Sequence, residues 1–467
     1  MRLFFITAFL FLIEVQVKAQ SLLLDTLPLF SFEQYLQMIK EHHPIAKQAA
    51  LLTRSAELEL IGAKGGFDPK LFGDYDKKHF DGINYWTRGE YGVKLPTWYG
   101  IEVKGSYNTA IGSNLNSEEK LPKQGQAIIG ISVPLLQNLV LDERRANLQK
   151  ARQMQGLNQA EREAILLDLG LEAAKIYWKW AFSYQQMKTY QKALQVSEQR
   201  FEAIKSAFLL GDRMAMDTLE SLTQVQDRAF QYNESALEFQ EYSLKLSNFM
   251  WSKEAKPVVF NTFFQPQSLN IPPLSIATQN REDLLQNLEK THPALMVYAF
   301  KINQLDIDRR LKMEKMKPKL NLNYNILGSG FNIPVLFSDN YKWGISFSSS
   351  TLFRAERSDV QLTRIKIENT HLLRDQKAVE LQNKLRFAFR EIDNLKQQIA
   401  LYSQTVNNYQ KLLELENSRF ELGESTFFLI NSREIKYLET QIKLAKLLTE
   451  YRTALATADW ASGKMLF

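Results

Sequence analysis

The sequence lays out one plan twice, and a chain written this way is constrained to fold into two matching sets of elements. His43-Pro44 opens one half and His292-Pro293 opens the other. Each is followed by a polar helical pattern and then, 25 residues on, by a second proline, Pro69 or Pro318. An alternating segment comes next, then a very long helical pattern broken by a leucine-glycine pair, Leu210-Gly211 or Leu422-Gly423. The returning pattern ends at Trp251 in the first half and at Trp460 in the second. Between the halves, residues 253–280 carry Pro257, Pro266, Pro272 and Pro273 and read as an irregular connector. The expected organisation is a leader over 1–19, a first repeat over 20–251, a connector over 252–280 and a second repeat over 281–467.

The helical segments keep a 3.5-residue period. Apolar positions in the first half run Leu169, Ala173, Ile176, Trp180, Ser183, Met187, Tyr190 and Leu194, and on to Phe208. The second half answers with Leu381, Leu385, Ala388, Ile392, Leu395, Ile399, Tyr402, Val406, Tyr409 and Leu413. The returning segment of the first half carries Leu222, Val225, Ala229, Tyr232, Ala236, Phe239, Ser243, Leu246 and Met250 in the same rhythm. Such a repeat specifies coiled-coil seams between neighbouring helices. No proline interrupts residues 135–256, and after Lys319 only Pro334 occurs, so the helices run unbroken. At 1.5 Å per residue, residues 144–210 extend roughly 100 Å, far more than a globular core requires.

The strands alternate with period two. Leu320, Leu322, Tyr324 and Ile326 interleave with asparagines, Trp343, Ile345 and Phe347 with Gly344 and serines. In the first half Ile101, Val103 and Tyr107 oppose Glu102, Lys104 and Ser106, and Ala127, Ile129, Ile131 and Val133 oppose Gln126, Gly130 and Ser132. One apolar and one polar face suits a half-solvated sheet or a lipid-facing barrel wall. Trp86, Tyr91, Trp98 and Tyr99 suit an interfacial aromatic girdle.

Residues 1–19 combine a positive start at Arg2, an apolar run over 3–13 and a small residue, Ala19, before Gln20. This is the pattern of a secretory signal peptide, with a mature chain expected to begin at Gln20. No other stretch reaches the ~18 apolar residues of a spanning helix, so entry into a membrane has to be as a barrel. The chain contains no cysteine, which removes disulfides and thiolate metal sites. Its formal charge of +6 is interleaved with acidic residues rather than gathered on one basic face, which argues against a nucleic-acid partner. His42, His43 and His292 are expected at helix starts, not at a metal, and Met214 and Met216 are too few for a soft-metal site. No phosphate loop, nucleophile elbow or carboxylate pair supports catalysis, and no cofactor is implied.

One chain supplies four to six strands, whereas closed membrane barrels need at least about eight. Strands that span a membrane must therefore be shared with further copies of the chain. The alternative is a periplasmic coiled-coil structural or adhesion protein whose strands form a soluble sheet. Extraction separates the two, because a barrel needs detergent.

The order of these features resembles the TolC-like outer-membrane efflux family over nearly the whole mature chain. The resemblance rests on the two His-Pro starts and on the strand-to-helix junctions Val133-Pro134-Leu135-Leu136 and Ser350-Thr351-Leu352-Phe353-Arg354. It rests also on the tips, Arg419-Phe420-Glu421-Leu422-Gly423-Glu424-Ser425-Thr426 and Leu209-Leu210-Gly211-Asp212 leading to Asp217-Thr218-Leu219. It implies a mainly α chain with a membrane β-barrel: long antiparallel coiled-coil hairpins in two internal repeats, with the strands of a homotrimer pooled into one twelve-stranded barrel in outer-membrane lipid. It further implies a tunnel extending into the periplasm, where a periplasmic adaptor docks on the tips below which an inner-membrane pump loads substrate. The function implied is passive export in a tripartite efflux or type I secretion system, without catalysis.

The resemblance also points to site residues. Leu210, Gly211, Asp212, Leu422, Gly423 and Glu424 are the adaptor-docking candidates. Family carboxylates that ring the closed aperture correspond to Glu414 and Asn417, of which only Glu414 keeps the charge. Glu416 interrupts the seam between Leu413 and Phe420, where weaker contacts are switchable. On the bland alternative, Glu414 and Glu416 are solvated or interhelical pairs. Departures from the family are an additional hairpin or loop within 80–126, Thr351 at the place of Pro134, and charged residues after both tip glycines.

Overall fold

A computed structural model describes residues 28–258, 264–269, 281–332 and 339–464. The leader over 1–19 lies outside them, as does most of the connector. The elements of the first half are β1 (Leu29–Phe30), α1 (Phe32–His42), α2 (Pro44–Gly65), β2 (Lys70–Phe80), β3 (Ile83–Pro96), β4 (Glu102–Ile111), β5 (Gln126–Pro134), α3 (Glu143–Leu209) and α4 (Ala215–Ser247). After β6 (Gln265–Pro266) come α5 (Arg281–Thr291), α6 (Pro293–Lys315), β7 (Lys319–Leu327), β8 (Tyr341–Ser348), α7 (Arg354–Glu421) and α8 (Phe427–Ala461).

The helices pair off in length: 11 and 11 residues for α1 and α5, 22 and 23 for α2 and α6, 67 and 68 for α3 and α7, 33 and 35 for α4 and α8. The strands do not: among the described residues β2 to β5 lie between α2 and α3, but only β7 and β8 between α6 and α7. Contacts divide the chain into two units, one of residues 1–50, 162–293 and 378–467, the other of 51–161 and 294–377.

The first unit is a helical assembly. Its core gathers Tyr35, Ile39, Tyr177, Trp180, Phe239 and Leu246, all buried. Each such side chain contributes roughly 1.5–3 kcal/mol on leaving water. The polar atoms of Tyr177 and Trp180 in this core find partners. The Tyr177 hydroxyl donates to the Phe30 carbonyl at 2.6 Å and accepts from the Gln267 N–H at 3.1 Å, and the Trp180 indole N–H donates to Ser243 Oγ at 3.1 Å. Ser31 and Gln34 close a capping box at the start of α1. Both His-Pro pairs stand at helix starts and pack on the end of a returning helix: the buried His43 ring stacks on Phe249, and buried His292 meets the Trp460 ring edge-on and its carbonyl at 3.2 Å.

The seams run as their period requires along α3 and α7, where Trp180 and Ile392 are 0% and 1% exposed within the single chain. They belong to the chain's own core, so a charge there breaks the hairpin itself, not a junction between copies. In α4 the expected line is buried from Phe239 through Ser243 and Leu246, but before it the inward line sits one residue earlier than expected. Ser221, Gln224, Arg228 and Ser235 are buried, while Leu222, Phe230, Leu237 and Leu244 face outward. An apolar period misplaces this stretch because its inward positions are polar: Gln224 and Arg228 are met by Asn431 and Glu434 of α8, and the Ser221 and Ser235 hydroxyls donate to carbonyls of α4 itself.

The second unit carries an antiparallel sheet in the order β2-β3-β4-β5-β7-β8. Asp81 and Gly82, at φ 51° and 74°, form the two-residue turn between β2 and β3. A twelve-stranded trimer needs four strands from each chain, and this sheet holds six among the described residues. The additional hairpin is bonded into this sheet, which stays open within one chain. Trp86 and Tyr91 lie within β3, and Trp98 in the following turn stacks on Phe67 at 4.1 Å. Beneath the sheet, Leu141, Ala146, Ile307 and Leu311 form a small helical core. Among the described residues no helix is long and apolar enough to cross a membrane.

Candidate functional site

The two helix reversals at Gly211 and Gly423 have one backbone. Gly211 sits at φ +85° and Gly423 at +80°, where L side chains are strained. Behind the first, the N–H of Asp212 reaches the Ala207 carbonyl at 2.9 Å and that of Gly211 the Phe208 carbonyl at 3.0 Å. Behind the second, Glu424 reaches Arg419 at 2.9 Å and Gly423 reaches Phe420 at 3.0 Å. These are paired Schellman bonds, which satisfy the last carbonyls of α3 and α7. Nothing lies within 4 Å of a Cβ added at either glycine. The glycines are needed for the turn and not for space.

The residues around them are uncovered. Leu209, Leu210, Met214 and Met216 at the first tip, and Leu422 and Phe428 at the second, are between 65% and 79% exposed. The Arg213 guanidinium lies 4.5 Å from the centre of the Phe420 ring and joins the two tips. The six docking candidates are thus brought onto one end of the helical unit, as two adjacent turns with apolar residues outward and a carboxylate after each glycine.

Glu414 and Asn417 divide differently. Glu414 is exposed and accepts from Gln410 Nε2 at 3.0 Å, while Asn417 is half-buried. The buried carboxylate is Glu416, 7% exposed, which accepts from Ser425 Oγ at 2.5 Å and faces Arg433 Nε at 3.7 Å and Arg419 Nη1 at 4.0 Å. Glu416 is therefore an interhelical pair that ties α7 to the start of α8. Burial and the nearby Glu414 charge, in that order, push the Tyr437 phenol up.

Two further features were missed in the sequence. Glu202 lies nine residues before Gly211, as Glu414 lies nine before Gly423, and it is exposed too. Aligning the tip glycines would have found it. The second is a buried ion triad. Glu434 of α8, 5% exposed, is met by Arg200 of α3 at 2.5 Å and Arg228 of α4 at 3.8 Å. Beside it Gln224 Nε2 donates to Asn431 Oδ1 at 2.8 Å. No local pattern reveals such a cluster, because its members come from three helices.

No family model matches the chain, and no curated protein matches it. Solved structures do match along nearly its whole length. The Campylobacter jejuni CmeC outer membrane channel is similar at a TM-score of 0.63 and 13% identity, covering 92% of this chain and 85% of its own. The open state of the Neisseria gonorrhoeae MtrE outer membrane channel gives 0.66 and 13%, covering 93% and 89%. The outer membrane protein VceC from Vibrio cholerae gives 0.64 and 12%, covering 93% and 96%. The chain has the fold of the TolC-like outer-membrane channels.

Proposed function

We propose that this protein is an outer-membrane channel-tunnel, a passive export duct of a tripartite efflux or type I secretion system that works as a homotrimer. The observation that carries the reading is the sheet, whose one face is apolar and uncovered. Leu71, Tyr75, Ile111, Trp343 and Phe347 are 60% exposed or more on that face. A soluble periplasmic sheet would have to leave these rings in water, whereas in a barrel wall they meet lipid. The outward α4 stripe of Phe230, Leu237 and Leu244, one heptad apart and each over 60% exposed, supports packing of the hairpins against another copy.

In this reading the tips at Leu210, Gly211, Asp212, Leu422, Gly423 and Glu424 receive the periplasmic adaptor, beneath which an inner-membrane pump supplies cargo. Glu414 and Asn417 contribute to the resting aperture. The leader over 1–19 directs export, and the two repeats flank the connector over 252–280. The chain performs no chemistry: it supplies a wall and a gate.

Fractionation tests the proposal. The protein is expected in the outer membrane, extracted only by detergent and recovered as a trimer. Leu237→Glu is expected to abolish the trimer while leaving the chain helical, because its side chain is uncovered within one copy. Recovery of the parent chain as a soluble periplasmic monomer overturns the reading.

A further inference from the structure

The sheet has two edges, β2 and β8, each bonded to a single neighbour. We propose that β2 and β3 are full staves of the barrel wall, and that β8 of one copy pairs antiparallel with β2 of the next, so that three copies close an eighteen-stranded barrel. The proposal rests on the trimeric channel reading and deepens it.

The register puts the two extra strands on the same faces as the other four. Leu71 lies opposite Val93, Gly73 opposite Tyr91, Tyr91 opposite Tyr107, Leu95 opposite Val103, Val103 opposite Ile131, Ile131 opposite Tyr324 and Tyr324 opposite Trp343. One row, Leu71, Val93, Gly105, Ile129, Ile326 and Tyr341, crosses the whole sheet from edge to edge, and the others run parallel to it on the same face. The opposite face carries Asp74 and Asp76 in β2, Arg88, Glu90 and Lys94 in β3, and Glu102 and Lys104 in β4. Asn321, Asn323 and Asn325 continue it in β7, and Lys342 in β8. A hairpin lying outside a barrel has no reason to keep its apolar row in register with the wall. A stave must, because lipid lies on one side and water on the other.

The hairpin is also built into the wall on both faces. On the charged face, the ammoniums of Lys94 and Lys104 lie 4.7 and 4.9 Å from the centre of the Phe72 ring, and Lys104 pairs with Glu90. These contacts tie β2, β3 and β4 together. On the apolar face the Tyr91 ring fills the space that Gly73 and Gly89 leave, where an added Cβ would stand 3.1 and 3.0 Å from it. Such cross-strand packing over glycine pins register. The hairpin strands are 11 and 14 residues long, against 9, 9 and 8 for β5, β7 and β8, so they run the full height.

The remaining question is what covers the edges. Unpaired backbone groups in lipid cost several kcal/mol each, which excludes an open sheet in the bilayer. Six strands are too few to close, since the smallest membrane barrels have about eight. Because the sheet is antiparallel throughout with an even number of strands, β8 and β2 run in opposite directions. A β8–β2 junction therefore continues the up-and-down order around the ring. Barrel diameter grows roughly in proportion to strand number, so eighteen staves enclose a bore about half again as wide as twelve.

The absence of cysteine gives a clean background for crosslinking. Tyr75→Cys in β2 is combined in turn with Trp343→Cys, Ile345→Cys and Phe347→Cys in β8, three partners so that one falls in register. Outer-membrane fractions are treated with oxidant or a short bis-maleimide and run on non-reducing gels. The expected result is conversion of most of the monomer band into dimer and closed trimer for at least one pair. Val103→Cys in β4 with the same three partners is expected to give none. Linkage through Val103→Cys instead means that β4 is the edge and the barrel has twelve staves, which overturns the proposal but keeps the trimer. A detergent-stable trimer that links through neither set also overturns it. Loss of the trimer in the parent chain sinks the channel reading beneath it.

Discussion

Seven residues before its tip glycine the first hairpin buries Ile204, at 5% exposure, and at the same distance the second buries Glu416, at 7%. Eleven residues after the glycine the first places Leu222 outward and the second buries Glu434 between two arginines. The residue before the closing tryptophan is the buried Met250 in the first half and the buried Asp459 in the second. Helix lengths and tip geometry agree between the halves, so these differences are chemical and not architectural. Apolar burial has no alternative partner but another apolar surface. A buried ion pair costs desolvation and is held by specific geometry, so it contributes little net stability while it is made and leaves a large penalty when one partner is lost. The second hairpin is thus the one built from contacts that a change of partner or charge state can rearrange.

The largest effect expected from this contrast is at Glu434. Glu434→Ala leaves the buried Arg228 and the half-buried Arg200 without their carboxylate and should lower stability by about 3–5 kcal/mol, the range for breaking a buried pair. Leu222→Ala at the matching position in the first half should cost less than ~1 kcal/mol, since Leu222 is already outward. Thermal unfolding of the detergent-solubilised protein measures both. Equal losses would mean that the two halves are held alike.

Asp459 gives a smaller effect with a sign that pH resolves. Burial pushes its carboxyl up to about 6, with Lys464 pulling weakly the other way. An unfolded chain ionises this group near pH 4, so between about pH 4 and 6 the unfolded state releases a proton that the folded state keeps. As pH rises, stability should fall across that window and stay level above it, by ~3 kcal/mol for a shift of this size. Asp459→Asn should remove that slope and leave the protein more stable at pH 7.5 than its parent. Denaturant midpoints at pH 4.5 and 7.5 decide it: an unchanged slope in the variant would assign the titration to another group.

What the sequence made legible follows the same division. The long helices of α3 and α7 were readable because a seam repeated over ten turns averages out single exceptions, and the tips because only glycine reverses a helix at positive φ. The first part of the inward line of α4 was not, since Gln224 and Arg228 are polar and become interior only through partners on α8. Strand β2 escaped notice because Gly73 and Lys77 dilute its apolar row, although Asp81-Gly82 after it is a strong hairpin turn signal. The second His-Pro helix start was legible as such, and His292 indeed packs on Trp460. At the tip, the break in the seam at Glu416 was visible, but its partners Ser425 and Arg433 lie beyond the turn, where a period along one helix carries no information.

The smallest expected effect is the one that separates the halves most finely. Glu202 and Glu414 stand at matching positions, both exposed in the single chain, and the aperture reading assigns an axial role to Glu414 alone. A ring of three carboxylates close to a narrow axis binds divalent cations and narrows the path of ions, whereas three carboxylates on the outer wall are screened by salt within roughly 8–10 Å. Glu414→Gln should therefore weaken divalent-cation block in planar-bilayer recordings several-fold, by the loss of one charge per copy, with trimer yield unchanged. Glu202→Gln should leave the block as it is, because its hairpin is sealed at Ile204 and the charge only decorates the surface. If the two variants weaken the block equally, both tips line the aperture and the acidic ring has six members. If neither does, Glu414 is an ordinary surface charge held by Gln410, and the constriction has to be sought among the buried polar contacts of Glu416 and Glu434.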